Sequence, residues 1–409
     1  MSSKQAKKRI AVRILGASGF WRQLRFVCWF VRRGNEAEPF SPRKDIVRLR
    51  GVIHCHTAQY SDGAGTVEDV MDAAAAEGFD FVFLTDHNSV AAARDGYVER
   101  YSNQLPFLRV GNEITVRGGA FLLAGNLPAT FHVEPRLDPQ TAIDAVLNTG
   151  GVAAVSLPFD MKHPWDAWDT TGTTGLEVIN FSTVARDHIN LLSLLVVLFL
   201  WRIAGLRAAL RWMIDRPDDA FAKWDDELAR HGRFAGIGAL DAHGITRIGK
   251  KWHKFPSYAD SFCVLSTHVF VDDHSERGPS AEHSLFHGRS IICYDLVRPL
   301  QDVVVQTKYG ALPGDITQVG DRLHIIVPHN TVVVVLRNGI ILNKERNGHT
   351  SILLDQDGIY RVEAYTYQFA IGDCAMLIEP WFFTNPISVR SYVGAYIRIL
   401  GYGVRKSAI

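Results

Sequence analysis

The order of apolar and polar positions divides the chain into two unlike stretches. Between about residues 46 and 256, short apolar runs alternate with amphipathic ones. Val52–His54 reads as extended, and Thr66–Glu77 (TVEDVMDAAAAE) reads as a helix that Gly78 ends, because glycine fits the left-handed cap. Phe79–Thr85 (FDFVFLT) has the apolar and aromatic content of a strand buried on both faces. Strands at Phe107–Gly111, Gly151–Val155, Gly175–Asn180 and Phe234–Leu240 follow, with helices at Pro139–Thr149 and around Pro217–His231. Strand–helix alternation with apolar strands predicts a parallel sheet, and this many repeats favour closure into a β/α barrel.

From Ser257 the period changes to two. Short strands are expected at Ser261–Val271, Arg289–Tyr294, Val303–Tyr309, Leu323–Pro328, Thr331–Leu336, Ser351–Leu354, Tyr360–Tyr367 and Met376–Phe383. Asn338-Gly339 and Asp357-Gly358 are hairpin signals between them. The expected organisation is a basic amphipathic segment and linker (1–45), a β/α barrel (46–256), a β-sandwich (257–391) and an aromatic, basic tail (392–409).

One run fits neither period. Asn190–Trp201 (NLLSLLVVLFLW) is almost unbroken in its apolar character, then Arg202, Arg207 and Arg211 follow. It is shorter than the ~20 residues that span a bilayer. A buried core helix and a helix facing a membrane or another copy, through residues 190–212, are the two readings. Tyr392–Tyr402 is again aromatic and basic.

Composition narrows the class without naming it. The 409 residues are 47% hydrophobic and 21% charged, with 34 Gly and 16 Pro, which excludes a disordered chain, a collagen and a disulfide mini-protein. Five cysteines without regular spacing argue for a reducing, cytoplasmic setting and against a disulfide framework. The net charge of +1 gives no reason to expect nucleic acid, yet it hides an asymmetry. Residues 1–50 hold thirteen Lys/Arg against three acids, so the remainder has 31 basic and 40 acidic residues. Arg13, Arg22 and Arg25 break any signal-peptide core, while Trp21, Phe26, Trp29 and Phe30 supply large apolar groups. This leader reads as an amphipathic helix suited to an anionic membrane surface, hence a peripheral association. A helix docked on the body, or a disordered tail, stands beside that reading.

Sixteen histidines raise the question of ligation. His54 and His56 are separated by one residue at a strand end, where alternate side chains project together and reach one ion, with Cys55 turned the other way. Asp86 and His87 close the run FDFVFLT, where a polar pair must be hydrogen-bonded or ligating. Glu113 follows the strand Leu108–Val110, and Asp241 and His243 follow Phe234–Ile237. His, Asp and Glu thus recur at the carboxyl ends of four alternating strands, the arrangement that a barrel metal site requires.

The ordered set HxH (His54, His56), Ser61-Asp62-Gly63, Thr85-Asp86-His87, Gly111-x-Glu113 and Asp241-Ala-His243 resembles the PHP (polymerase and histidinol phosphatase) family over residues 46–256. That resemblance implies a metal-dependent phosphoesterase on a distorted seven-stranded β/α barrel, with clustered divalent ions, usually zinc, manganese or iron. The tail ending in Trp381-Phe-Phe-Thr-Asn385-Pro386 is similar to the extra domain of some larger PHP hydrolases. Carried over residue by residue, the resemblance places one ion on His54, His56, Glu113 and Asp241, and a second on Asp62, His87 and His243. It gives catalytic roles to Glu113 and His243, and to Asp86 the task of orienting a ligand histidine or accepting a proton. The sequence departs where Leu157 and the Phe121 stretch replace middle-strand histidines, so one or two ions are expected, unless His163 fills in. Arg117, Lys162 and Arg186 are candidates to hold a phosphorylated or other small-molecule substrate. Three functions remain open: phosphate-ester hydrolysis, hydrolysis of a carboxylic, carbamate or amide bond by the same centre, and metal or phosphate binding without turnover. No P-loop, Rossmann glycine fingerprint or Gly-x-Ser-x-Gly is present.

Overall fold

The structure is a computed structural model that describes residues 28–391, apart from 35, 36, 38, 189, 190, 249, 250, 275 and 347. The leader up to residue 27 and the tail 392–409 lie outside the described residues. The chain begins with β1 (Cys28–Phe30) and β2 (Ile46–Ile53). Helix α1 (Val67–Ala76) starts where Thr66 and Asp69 form a capping box, each side chain bonding the other's backbone. It stops before Gly78, whose φ of 72° is the left-handed turn expected there. Then come β3 (Phe81–Leu84), the short helices α2 (Ala91–Arg94) and α3 (Tyr97–Tyr101), β4 (Phe107–Val110), β5 (Asn112–Thr115) and β6 (Phe121–Gly125). Asp138 caps α4 (Pro139–Leu147) through the Gln140 N–H, with proline in the first turn where a missing N–H costs nothing. β7 (Val152–Ser156), β8 (Thr173–Asn180), α5 (Phe181–His188), α6 (Leu191–Ala204), α7 (Leu206–Trp212), α8 (Asp218–His231) and β9 (Ala235–Ala239) complete the first half.

A small hairpin, β10 (Thr246–Ile248) with β11 (Lys251–His253), leads into the second half. Here two helices appear where only strands were expected. α9 (Tyr258–Phe262) occupies the start of the anticipated strand at 261, because Ser257 and Asp260 form a second capping box. β12 (Ser266–Asp272), α10 (Arg277–Phe286) and β13 (Ser290–Cys293) follow. The rest is strand: β14 (Val304–Thr307), β15 (Ile316–Gln318), β16 (Arg322–Ile326), β17 (Thr331–Arg337) and β18 (Ile340–Arg346). The last four are β19 (His349–Leu353), β20 (Gly358–Ile371), β21 (Cys374–Thr384) and β22 (Ile387–Arg390).

The fold is mixed α/β. β2, β3 and β4 are parallel neighbours, but β2 gives its other edge to β12, antiparallel over six residue pairs from Thr267↔Gly51 to Asp272↔Ile46. The sheet continues through β13, β21, β20, β22 and β15 to twelve strands, so the boundary expected at residue 256 does not fall between separate sheets. A second sheet runs β5-β6-β7-β8-β9. It is not all-parallel as expected: β5–β6 and β6–β7 are antiparallel, β7–β8 and β8–β9 parallel. The β5–β6 departure has a local cause, since Gly118 and Gly119 (φ 89° and 85°) allow a tight turn where a helix would otherwise cross over. The two sheets touch where β2 and β9 end. There the Leu240 N–H donates to Ile53 O, and the Ala242 N–H to His54 O.

Elsewhere the small sheet β14-β16-β19 lies over the large one. Val305, Leu323 and Ile325 share a core with Val333, Val335, Val362 and Trp381. Ion pairs bind the helical layer to the long strands: Arg216 to Glu363 at 2.8 Å, Arg361 to Asp225 at 2.8 Å and Arg211 to Glu379 at 2.6 Å.

Three expectations need correction. Residues 28–30 are a strand paired to β21, not the end of a helix, and Trp29 packs edge-on against Tyr365 at 4.7 Å. Cys28 and Cys374 are joined in a disulfide, a pairing across 346 residues that spacing does not reveal. Cys55, Cys263 and Cys293 are free and buried. Of the two readings of the apolar run, the buried core helix is not what forms: its described residues from Leu191 on lie in α6, where Leu195 and Phe199 are 57 and 62% exposed.

Candidate metal centre

β2 ends at Ile53, and His54 then turns into the left-handed region with φ 66°, so the pair HxH is not carried on a regular strand. Its backbone is held from both sides, the His54 N–H donating to Phe83 O and its carbonyl accepting from Ala242 N. That conformation costs a non-glycine residue energy and persists where neighbours over-determine it. The outcome matches the expected convergence by another route: the Nε2 atoms of His54 and His56 face each other at 3.0 Å. Both rings are fully buried, as is Cys55, which lies apart from the cluster as expected.

Glu113, the second residue of β5, reaches the same point. Its Oε2 lies 3.3 Å from His54 Nε2, 3.4 Å from His56 Nε2 and 3.0 Å from His87 Nδ1. Asp241, just beyond β9 and also left-handed at φ 54°, places Oδ1 3.3 Å from His56 Nε2 and 3.6 Å from His54 Nε2. Toward solvent, Asp62 Oδ1 lies 3.3 Å from His243 Nε2 and 3.6 Å from His87 Nε2. All seven residues expected to ligate are therefore together. They form two overlapping groups, His54/His56/Asp241 and His56/Asp62/His87/His243. His56 belongs to both, and Glu113 lies between them.

The electrostatics suit a cation. Burial pushes the His56 imidazole down to about 4, so at neutral pH it is an unprotonated donor. Burial alone would raise Asp241, but His243, His56 and His54 hold it at about 2. Burial opposes charge on His243 as well, yet Asp241 and Asp62 lift it to about 9. Protons and a cation compete for these nitrogens, which ties affinity to pH. The fit also shows in what hydrogen bonding leaves undone. Glu113 Oε2, His56 Nδ1 and His87 Nδ1 are buried and accept or donate no hydrogen bond. An anionic oxygen buried beside three imidazole nitrogens, with no donor aligned on it, is costly unless a cation takes its place among them.

Sequence reasoning missed Glu177. It sits on β8 with its carboxylate fully buried, Oε1 2.5 Å from His54 Nδ1. Its other oxygen accepts from Ser156 Oγ at 3.1 Å, Leu157 N at 3.0 Å and Asn180 Nδ2 at 2.9 Å. Ser156 lies within bonding distance of Glu113 as well, 3.0 Å. An acid inside the run TTGLEVIN was the available signal, since a buried carboxylate must have partners.

Other candidates stand elsewhere. Among the described residues the Asp86 carboxylate pairs with no histidine; burial raises it to about 6, and it accepts from Thr57 N at 2.7 Å and Thr57 Oγ at 3.0 Å, fixing the turn after His56. The Phe121 ring lies 5.4 Å from that of His87, and Leu157 contributes only its backbone N–H. His163 does not fill the gap: it is exposed, with Nδ1 3.3 Å from Gly118 O. Arg117 pairs with Asp138 and Arg186 with Asp160, while Lys162 is exposed. A further buried trio, His268, Cys293 and Asp295, lies away from the cluster, and there Arg50 already donates to Asp295 at 2.7 Å.

The family model for the PHP domain matches residues 53–137, the segment that holds His54, His56, Asp62, His87 and Glu113. Curated protein sequences yield no match. Among solved structures, a two-domain protein from Bacteroides vulgatus containing a predicted PHP-like metal-dependent phosphoesterase is 15% identical, with a TM-score of 0.42 over 85% of this chain and 98% of that one. PsfC from Pseudomonas syringae is 12% identical, with a TM-score of 0.34 over 54% of this chain and 82% of that one. An amidohydrolase from Chromobacterium violaceum with bound sulfate and no metal is 14% identical, with a TM-score of 0.32 over 51% of this chain and 92% of that one.

Proposed function

From a PHP-domain match at residues 53–137 whose ligands gather with Asp241 and His243, we propose that the protein is a metal-dependent hydrolase, cleaving a phosphate ester. One observation carries the reading: the buried Glu113 Oε2, without a hydrogen bond, at the meeting point of His54, His56 and His87. His54, His56, Glu113 and Asp241 would hold one divalent ion, zinc, manganese or iron, and Asp62, His87 and His243, with His56 beside them, a second. When bound, such ions supply Lewis acidity and lower the pKa of water toward about 7. The chain's own residues prepare the place. Glu177 fixes the His54 ring, Asp86 fixes the turn that carries His56, and Asp62, at 60% side-chain exposure, marks the side open to substrate.

We read the seven strand positions β2, β3, β4–β5, β6, β7, β8 and β9 as a distorted barrel. The hydrogen bonds from Leu240 and Ala242 to Ile53 and His54 support that closure. The shared core of β14-β16-β19 and the large sheet supports a sandwich in residues 257–391.

Metal analysis of protein purified without chelator, together with hydrolysis of an aryl phosphate, tests the function. At least one divalent ion per chain and phosphatase activity lost in His54→Ala are expected. A folded protein with neither metal nor hydrolysis overturns the reading. Cleavage of an aryl carboxylic ester without phosphatase activity would instead favour a carbon-ester or amide substrate.

A further inference from the structure

Two segments leave the strand ends that carry the cluster and stand outside it. α5 and α6 follow β8 directly after Asn180, and the β10–β11 hairpin follows β9 after Asp241 and His243. They come together just past the hairpin, where the rings of Trp201 in α6 and Phe255, two residues beyond β11, stack at 4.5 Å, 9° from parallel. Only a narrow stripe of α6 faces the body, with Ser193 buried and Val197 packed on the core. Leu192, Leu195, Leu198, Phe199 and Ile203 stand out in solvent on the remaining faces. An exposed apolar surface on this scale marks an interaction site.

Charge says what it meets. No Asp or Glu occurs between residues 188 and 214 or between 242 and 259. Arg202, Lys251 and Lys254 are exposed around the apolar face, whereas Arg207 and Arg211 are tied to Glu77 and Glu379. A second copy of the chain docked face to face would bring these cations against their own equivalents, an unfavourable match. An anionic lipid surface complements them, and apolar residues flanked by cations and a Trp are what an interfacial helix presents. Spanning is not available to it. Fourteen residues extend about 21 Å against a hydrocarbon core of about 30 Å. Among the described residues no single helix is long and apolar enough to cross, and α5 with α6 passes only as a pair bent by 116°.

We propose that α6 and the basic hairpin beside it form a docking surface for an anionic bilayer, with α6 lying in the plane of the interface. The proposal does not depend on the reaction catalysed. Co-sedimentation of the full chain with phosphatidylcholine vesicles, with and without phosphatidylglycerol, tests it. Wild type binds the anionic vesicles, and Leu195→Glu/Phe199→Glu, placing charge on an already exposed face, weakens binding by about tenfold or more. Lys251→Gln/Lys254→Gln weakens binding to anionic vesicles by about tenfold and leaves binding to neutral ones unchanged. Melting temperature and metal content equal to wild type show that both variants fold. Equal vesicle binding by wild type and both variants would place the contact elsewhere, in the basic leader for instance, and overturns the proposal. So does an absence of wild-type binding, or an α6-dependent dimer that ignores vesicles.

Discussion

Glu177 Oε1 stands 2.5 Å from His54 Nδ1, and this contact decides which nitrogen of the ring faces the cluster. With its Nδ1–H donated to the carboxylate, His54 presents Nε2 to Glu113 and Asp241, at 3.3 and 3.6 Å. Glu177→Gln keeps the shape and removes the charge. A loss of about tenfold to a hundredfold in metal affinity is expected, read by titration against a chromophoric chelator. Affinity equal to wild type would mean that packing alone orients the ring.

Leu157 occupies a place where the family resemblance calls for histidine. Its φ of 44° is one that histidine adopts more readily than leucine, so Leu157→His costs the backbone little. The variant is expected to hold about one more divalent ion per chain, or to bind the existing ones more tightly. Elemental analysis after gel filtration gives the ratio; an unchanged ratio and affinity would show that this position does not point at the cluster.

Gly63 has no room to grow. A Cβ there would lie 2.3 Å from the His56 carbonyl oxygen, and backbone cannot move aside as a flexible side chain can. Gly63→Ala should therefore push the loop of Asp62 away from His87 and His243. We expect a stability loss of about 1–3 kcal/mol and weaker binding of one ion, seen in thermal melts with and without added metal.

Far from the cluster, Glu363 accepts from Arg216 at 2.8 Å, from Tyr365 Oη at 2.5 Å and from Arg361. Burial alone would raise its carboxyl, but Arg361 and Arg216 hold it at about 2. A depressed carboxylate stabilises fully above its unfolded value of about 4.3, and that stability fades as pH falls toward 2. At pH 7, Glu363→Gln should be less stable by about 3 kcal/mol, since it strands two buried guanidinium groups. The gap should narrow by about 1 kcal/mol at pH 3.5, which urea melts at the two pH values would show. A gap independent of pH would remove charge from the explanation.

The ligands were legible because each sits at the end of a local pattern. The apolar run before Asp86 and His87, and the strands before Glu113 and Asp241, are read within ten residues of sequence, and the structure brings the ligands among them together. Glu177 was not, because a lone acid in TTGLEVIN looks like a flaw in a strand until its partner 123 residues earlier is known. Capping boxes explain both α1, which its alanine-rich run announces, and α9, whose five residues are too few to show a period. Pairing partners are a different matter. Nothing local in IVRLRGVI says that its second neighbour is β12, more than two hundred residues on, just as nothing near Cys28 points to Cys374. The face that α6 turns outward was likewise hidden, since an apolar residue reads the same whether it is covered or bare.

Every proposed ligand precedes residue 244, yet the strand that delivers His54 and His56 leans on one that starts at Ser266. A chain cut at residue 256 would keep the entire ligand set and leave the edge of Ile46–Gly51 open, its amides and carbonyls free to recruit a stranger. The cluster is thus not a cassette that can be lifted out at the point where the sequence changes rhythm. It is held in common by both halves of the chain.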